Sequence, residues 1–206
     1  MKLTKNIKKI ILTLLIVLTL FITGCDKKEE NLGDIESNLS FKEEYESINN
    51  EDTGYGKTYR ELHIEDDSMI VYTDLKTLNK MIEKKETFIV YFGFKECPWC
   101  RSIVETMLKE AKKNKIDKIY YVSIKDLRDT YEIQSDDSIK KIIDASPEYY
   151  NLLQKLQNVL EDYTLTKEDG TKLLVGEKRI YAPNTILVKD GKATKIVTNS
   201  SLQTDS

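Results

Sequence analysis

Cys97-Pro98-Trp99-Cys100 is the stretch of this chain best suited to chemistry. Two thiols separated by two residues close into a small ring at low geometric cost, and the thiolate is the reactive form of each. The residues before them, Phe88-Ile89-Val90-Tyr91-Phe92-Gly93, read as a buried strand, and those after them as a helix. The cysteines therefore fall where a turn becomes a helix. There Cys97 meets the free N–H groups and the positive end of the helix dipole, which favour its thiolate. Cys100 lies one turn inward. The pair reads as a redox centre, with Cys97 the attacking nucleophile and Cys100 the resolving thiol that breaks a mixed disulfide. Pro98 suits the first helical turn. Trp99 reads as a rim residue, either packing the helix start or offering an apolar contact to a substrate. Arg101 adds positive charge nearby, and Glu96 works against it.

The elements that must position this pair are legible on both sides. Met69-Ile70-Val71-Tyr72 reads as a short strand, and Asp74 caps a helix with Leu75, Leu78, Met81 and Ile82 on one face. Thr87 to Phe92 is a β-branched and aromatic run of the kind buried on both faces. After the cysteines, Ile103, Val104, Met107, Leu108 and Ala111 make one continuous helical stripe. Lys118 to Ile124 reads as the next strand, closing a right-handed βαβ unit. Ser138 to Ala145 reads as a short helix, and Ser146-Pro147-Glu148 starts another, its apolar face carried by Tyr149, Leu152, Leu153, Leu156, Val159 and Leu160. Asp162 to Tyr181 reads as a hairpin-like excursion turning at Glu168-Asp169-Gly170. Asn184 to Val188 and Ala193 to Val197 flank a Lys-Asp-Gly-Lys turn, a further hairpin. Tyr59 to Ile64 alternates weakly, as an edge strand would.

Composition bounds the rest. The chain has 206 residues, 40% hydrophobic and 33% charged, with a net charge of −3. That is enough for one core plus accessory segments. With no basic excess, nucleic acid is not an expected partner. The single histidine, His63, removes most zinc-site and Ser-His-Asp readings. Two thiolates and one distant imidazole leave a metal site a ligand short, so no metal is expected.

Three cysteines leave one unpaired. Met1 to Lys9 carries Lys2, Lys5, Lys8 and Lys9, and Ile10 to Ile22 is apolar apart from Thr13 and Thr19. This is the pattern of a secretory signal segment, shorter than the roughly 20 residues of a comfortable bilayer span. Ile22-Thr23-Gly24-Cys25 resembles the bacterial lipoprotein lipobox, which implies lipidation at Cys25 and a place on the extracytoplasmic face of the cell membrane, where disulfides persist. Asp26 to Thr58 reads as a disordered polar tether, with at most a short helix around Phe41 to Ile48. The division is therefore 1–25 signal segment, 26–58 tether, 59–198 folded domain and 199–206 tail.

The βαβ unit with its CxxC, followed by Ala182-Pro183-Asn184-Thr185-Ile186-Leu187-Val188 and a Lys-Asp-Gly hairpin, is similar to the thioredoxin superfamily. It looks nearest to the small thioredoxin-like lipoproteins that act as bacteriocin-transport accessory proteins. The resemblance covers roughly Tyr59 to Thr198. It implies an α/β fold, a central mixed sheet flanked by helices, with a helical and hairpin insertion over 126–181. It implies a cis Ala182–Pro183 bond beside the cysteines, where the Ala182 backbone can pair with an extended substrate. It implies a membrane-anchored thiol-disulfide oxidoreductase, reductase or isomerase rather than oxidase, with the Cys97–Cys100 disulfide as its only redox group. Its partners would be exported proteins or peptides carrying thiols or disulfides, and a membrane electron donor. The alternative is a non-catalytic binding or accessory lipoprotein on the same scaffold, aiding peptide or bacteriocin export. Three departures stand out. Tyr91 occupies the place of the family's buried acid, six residues before the first cysteine; the 126–181 segment is long; and no helix-length sequence follows the last strand to cover that face of the sheet.

Overall fold

The computed structural model describes residues 39–198. The signal segment, the lipidation site Cys25, the first part of the tether and the tail 199–206 lie outside the described residues. Among those described, the order is α1 (Phe41–Glu46), β1 (Ile70–Tyr72), α2 (Leu75–Glu83), β2 (Phe88–Gly93), α3 (Pro98–Lys113), β3 (Ile119–Ser123), β4 (Thr130–Ile133), β5 (Ile139–Ile143), α4 (Pro147–Leu156), β6 (Glu161–Thr166), β7 (Lys172–Arg179), β8 (Asn184–Lys189) and β9 (Lys192–Thr198). A short 3-10 turn, Lys125–Leu127, links β3 to β4. None of the described helices is long and apolar enough to cross a membrane.

Five strands form a mixed sheet in the order β1-β3-β2-β8-β9. β1, β3 and β2 run parallel, and β8 and β9 run antiparallel to their neighbours. The two-residue period of β2 divides its side chains between the faces. Phe88, Val90 and Phe92 point to one core with the apolar faces of α2 and α4. Tyr91 points to the other, with Val104, Leu108 and Ala111 of α3 and Phe41 and Tyr45 of α1. Full burial of each such aliphatic side chain contributes on the order of 1.5–3 kcal/mol, so both faces hold the sheet.

Local chemistry sets the helix starts. Asp74 caps α2 by accepting the Thr77 N–H at 2.6 Å. Ser146 caps α4 with Pro147 in the first turn. Ser40 and Glu43 form a reciprocal capping box at α1.

Three expectations are corrected here. The tether does not extend over residues 39–58. Phe41 and Tyr45, one turn apart, are 1% and 0% exposed, and Ile48 is buried as well. Two aromatics on one helical stripe suffice to dock a segment that composition marks as polar. Tyr59–Ile64 forms no strand; it is an irregular stretch that buries Leu62 and Ile64. Residues 138–145 are not helical but supply β5, paired with β4 across a tight turn with Asp137 at φ 65°. Ile139, Ile142 and Ile143 are β-branched, and a short apolar run alone does not distinguish helix from strand.

The 126–181 segment splits into two roles. α4 covers a sheet face. The pairs β4–β5 and β6–β7 are separate two-stranded ribbons.

Candidate redox site

Gly93 ends β2, and four residues later the chain reaches Cys97, the N-cap of α3. The Cys97 sulfur accepts the Cys100 N–H at 3.2 Å, a capping role that usually falls to a hydroxyl or carboxylate oxygen. Pro98 takes the first helical position, where a missing N–H costs nothing. Trp99 stands at the rim, 56% exposed. The Ala182–Pro183 bond is cis, and the Cys97 thiol donates to the Ala182 carbonyl at 3.6 Å. The cysteines, Pro98, Trp99, Ala182 and Pro183 thus lie together at one end of β2 and β8. Both cysteines are free thiols, Cys97 4% and Cys100 0% exposed.

The two sulfurs differ electrostatically. The Cys97 thiolate is favoured first by hydrogen bonding from Cys100, then by the N–H groups of Cys100 and Trp99, and by the Arg128 charge; these outweigh its burial and hold its pKa below the ordinary thiol value. Cys100 is pushed far up by burial, reinforced by the neighbouring Cys97. The arrangement separates a thiol that ionises readily from one that holds its proton.

Arg101 does not play the part its sequence position suggests. It is 1% exposed, and its guanidinium points away from solvent into the α1 segment. It donates to the carbonyls of Tyr45 at 2.7 Å and Lys95 at 3.3 Å. It also donates to the Arg60 carbonyl, through Nε at 3.0 Å and through Nη2, and to Asn49 Oδ1 at 2.6 Å. The cation that favours the Cys97 thiolate is Arg128, which lies over the Phe94 ring at 5.7 Å and follows the 3-10 turn after β3. Beside it, Arg179 pairs with buried Asp129 at 2.8 Å and stacks on Tyr163 at 3.9 Å. The insertion thereby sets the Arg128 cation near Cys97, with Arg179 and Tyr163 near Arg128. Glu96 is held by Lys125 at 3.0 Å.

Tyr91, six residues before Cys97, is a fully buried phenol. It shares a buried cluster with Cys100, and its hydroxyl lies 3.3 Å from the Tyr45 hydroxyl. Gly93 is required beneath it, since a Cβ there would come within 2.5 Å of the Tyr91 hydroxyl.

Sequence reading missed Arg128 at the site and the docking of α1 through Phe41 and Tyr45. Only the Phe41/Tyr45 spacing and the Ser40-x-x-Glu43 pattern could have pointed to α1. His63 is exposed, with Nε2 3.6 Å from Glu61, and no metal-holding group of three or more His, Cys, Asp or Glu forms among the described residues. Searches against protein-family models, curated proteins and solved structures found no match.

Proposed function

We propose that this chain is a thiol-disulfide oxidoreductase of thioredoxin-like fold, anchored through Cys25 to the extracytoplasmic face of a membrane, acting as a reductase or isomerase on exported proteins or peptides. One observation carries the reading. Cys97, at the tip of α3, has donors and a cation for its thiolate, with Cys100 directly beneath and the Ala182 carbonyl beside it. The βαβ unit and the X-Pro preceding the penultimate strand support the thioredoxin-like assignment.

The chemistry follows from the two thiols. The Cys97 thiolate attacks a substrate disulfide; a Cys97–substrate bond forms and one substrate thiolate leaves. Cys100 then attacks the Cys97 sulfur, the Cys97–Cys100 bond forms, and the second substrate thiolate leaves with the electron pair. The substrate gains two electrons and the protein loses two, which an external membrane donor must restore.

Reduction of insulin by the dithiol form, together with the potential of the pair, tests the proposal. Turnover with a potential near the thioredoxin value of about −270 mV supports it. A potential well below about −300 mV with no turnover overturns it. A Cys100→Ser variant should trap mixed disulfides at Cys97. The low exposure of Cys97 favours a second reading, a binding or accessory protein whose dithiol is structural; absence of trapped adducts from an alkylatable Cys97 selects that reading.

A further inference from the structure

Arg128 stands beside the loop that leads into the thiols. The Ile124 N–H donates to the carbonyl of Gly93, the last residue of β2, at 3.1 Å. Lys125 pairs with Glu96 at 3.0 Å. The Arg128 guanidinium lies 5.7 Å from the centroid of the Phe94 ring, and the Phe94 carbonyl accepts the Cys97 N–H at 3.1 Å. Residues 124–128 thus run along the loop 93–97 that delivers Cys97 to the tip of α3.

The chain has four arginines. Arg60 pairs with Glu105 at 3.5 Å, Arg179 with Asp129 at 2.8 Å, and Arg101 donates to the carbonyls of Tyr45, Arg60 and Lys95 and to Asn49. Arg128 alone has neither an ion pair nor a hydrogen-bond acceptor among the described residues, and its Nε–H is buried without a partner. The carboxylates that could have served it are taken, Asp129 by Arg179 and Glu96 by Lys125. The side chain is half-buried rather than enclosed. Stacking on Phe94 engages the face of the guanidinium and leaves its edge, a fixed fork of N–H donors whose geometry fits a carboxylate. Leaving charged donors unmatched in a partly buried place is unfavourable, so the fork is suited to an acceptor brought from outside.

We propose that Arg128 is the specificity determinant of the site, receiving a carboxylate that flanks the substrate's disulfide; this rests on the reading of Cys97 as the exchanging thiol. The preferred substrates are then peptides or proteins with an acidic side chain or a chain-terminal carboxylate beside the cysteine. An anionic substrate would otherwise be repelled by the attacking thiolate. A cation along the loop offsets that repulsion. Once the Cys97–substrate bond forms, the thiolate charge is gone and the guanidinium is left to the carboxylate.

Peptides blocked at both ends, with one cysteine activated as its 2-pyridyl disulfide, test this on the reduced full chain. The cysteine is flanked on both sides by Glu, by Gln or by Lys, and a fourth peptide, with Gln before the cysteine, ends there in a free carboxylate. Attack by Cys97 forms the Cys97–peptide bond and breaks the peptide–pyridyl S–S bond. Pyridine-2-thiolate leaves with the electron pair, takes a proton and is read by its absorbance as the thione. Each rate is divided by that of 2-mercaptoethanol on the same peptide, which removes intrinsic reactivity. The Glu peptide, the free-carboxylate peptide or both should exceed the blocked Gln peptide roughly tenfold, the worth of one charge-assisted pair, and the Lys peptide should fall below it. A gain on the Glu peptide assigns an acidic side chain, and a gain confined to the free carboxylate assigns a chain end. Arg128→Gln slows every peptide through Cys97 but should bring the acidic-to-Gln ratio near one, and Arg128→Lys, with the charge but not the fork, should keep part of it. The ratio compares peptides on one protein, so it does not depend on the fraction folded. Equal normalised rates on the unaltered chain, or an acidic preference that survives Arg128→Gln, overturns the assignment and leaves exchange intact. Absence of thione from every peptide, while iodoacetamide still alkylates Cys97, overturns exchange and the assignment with it.

Discussion

Replacing Arg101 by lysine keeps the charge and discards the fork. The guanidinium bridges four positions, the carbonyls of Tyr45, Arg60 and Lys95 and the Asn49 side chain, through five hydrogen bonds. Tyr45, Asn49 and Arg60 belong to the segment laid over α3, so the guanidinium fastens that segment to the helix bearing the cysteines. A lysine ammonium has three donors at one point and cannot span these acceptors. Hydrogen bonds to a charged group contribute about 1.5–3 kcal/mol each, so losing two of them costs about 3–6 kcal/mol. Taking ~4 kcal/mol with a urea slope of ~2 kcal/mol/M, the unfolding midpoint should fall by roughly 2 M. Hydrogen exchange of the amides in 41–64 should accelerate more than that of β2 and β3, because the segment peels away first. The alkylation profile of Cys97 should keep its midpoint, since Arg101 does not face that sulfur. A midpoint drop under ~0.5 M, about 1 kcal/mol at that slope, would refute the fastening role. An upward shift of the Cys97 profile would restore the role its sequence position suggests.

Two further substitutions bear on the same site. Cys97 is held below the ordinary thiol value of about 8.5, so iodoacetamide should alkylate it with a midpoint below that pH; Arg128→Gln removes the nearby cation and should move the midpoint upward, and an unmoved profile would dismiss Arg128 as a contributor. Gly93→Ala places a methyl against the Tyr91 ring, 2.5 Å from its hydroxyl, and should cost about 1–3 kcal/mol in a denaturant titration, the usual penalty of overpacking; a change under ~0.5 kcal/mol would show that the ring yields freely.

The core of the site was legible because its signals are local. The run Phe88–Phe92, the proline at the first helical turn and the stripe Ile103–Ala111 each fix an element without reference to the rest of the chain. The parts that escaped depend on long-range contact. Arg101 is four residues from Cys97 along the chain, and one helical turn would place its charge nearby; instead, the carbonyls of a segment some 40 to 56 residues earlier capture it. Arg128 reaches the site only because the chain turns back at Lys125–Leu127 after β3. Phe41 and Tyr45 are set among charged residues, so composition conceals a docking face that only the i, i+4 spacing carries. The helix expected over 138–145 gave way to β5 because its partner β4, not its own propensity, decides its conformation.

Both faces of the sheet carry a covering. α4 closes one face with α2, and α1 with residues 59–64 closes part of the other beside α3. Among the described residues, the covering on the second face stops short of β8 and β9. There Ile89, Ile103, Met107, Ile116 and Val197 line a groove of about 460 Å³. The cover therefore sits over Tyr91 and Cys100, and the gap lies to the side. That placement suits the chemistry. A carboxylate at the Tyr91 position would be a buried charge, costly to desolvate and repelling the Cys97 thiolate. A neutral phenol has neither effect. Arg101 fixes α1 to the helix that carries the thiols. Loosening α1 should thus lower stability, whereas attack by Cys97, which depends on the tip of α3 and Arg128, should continue in whatever fraction of the protein stays folded.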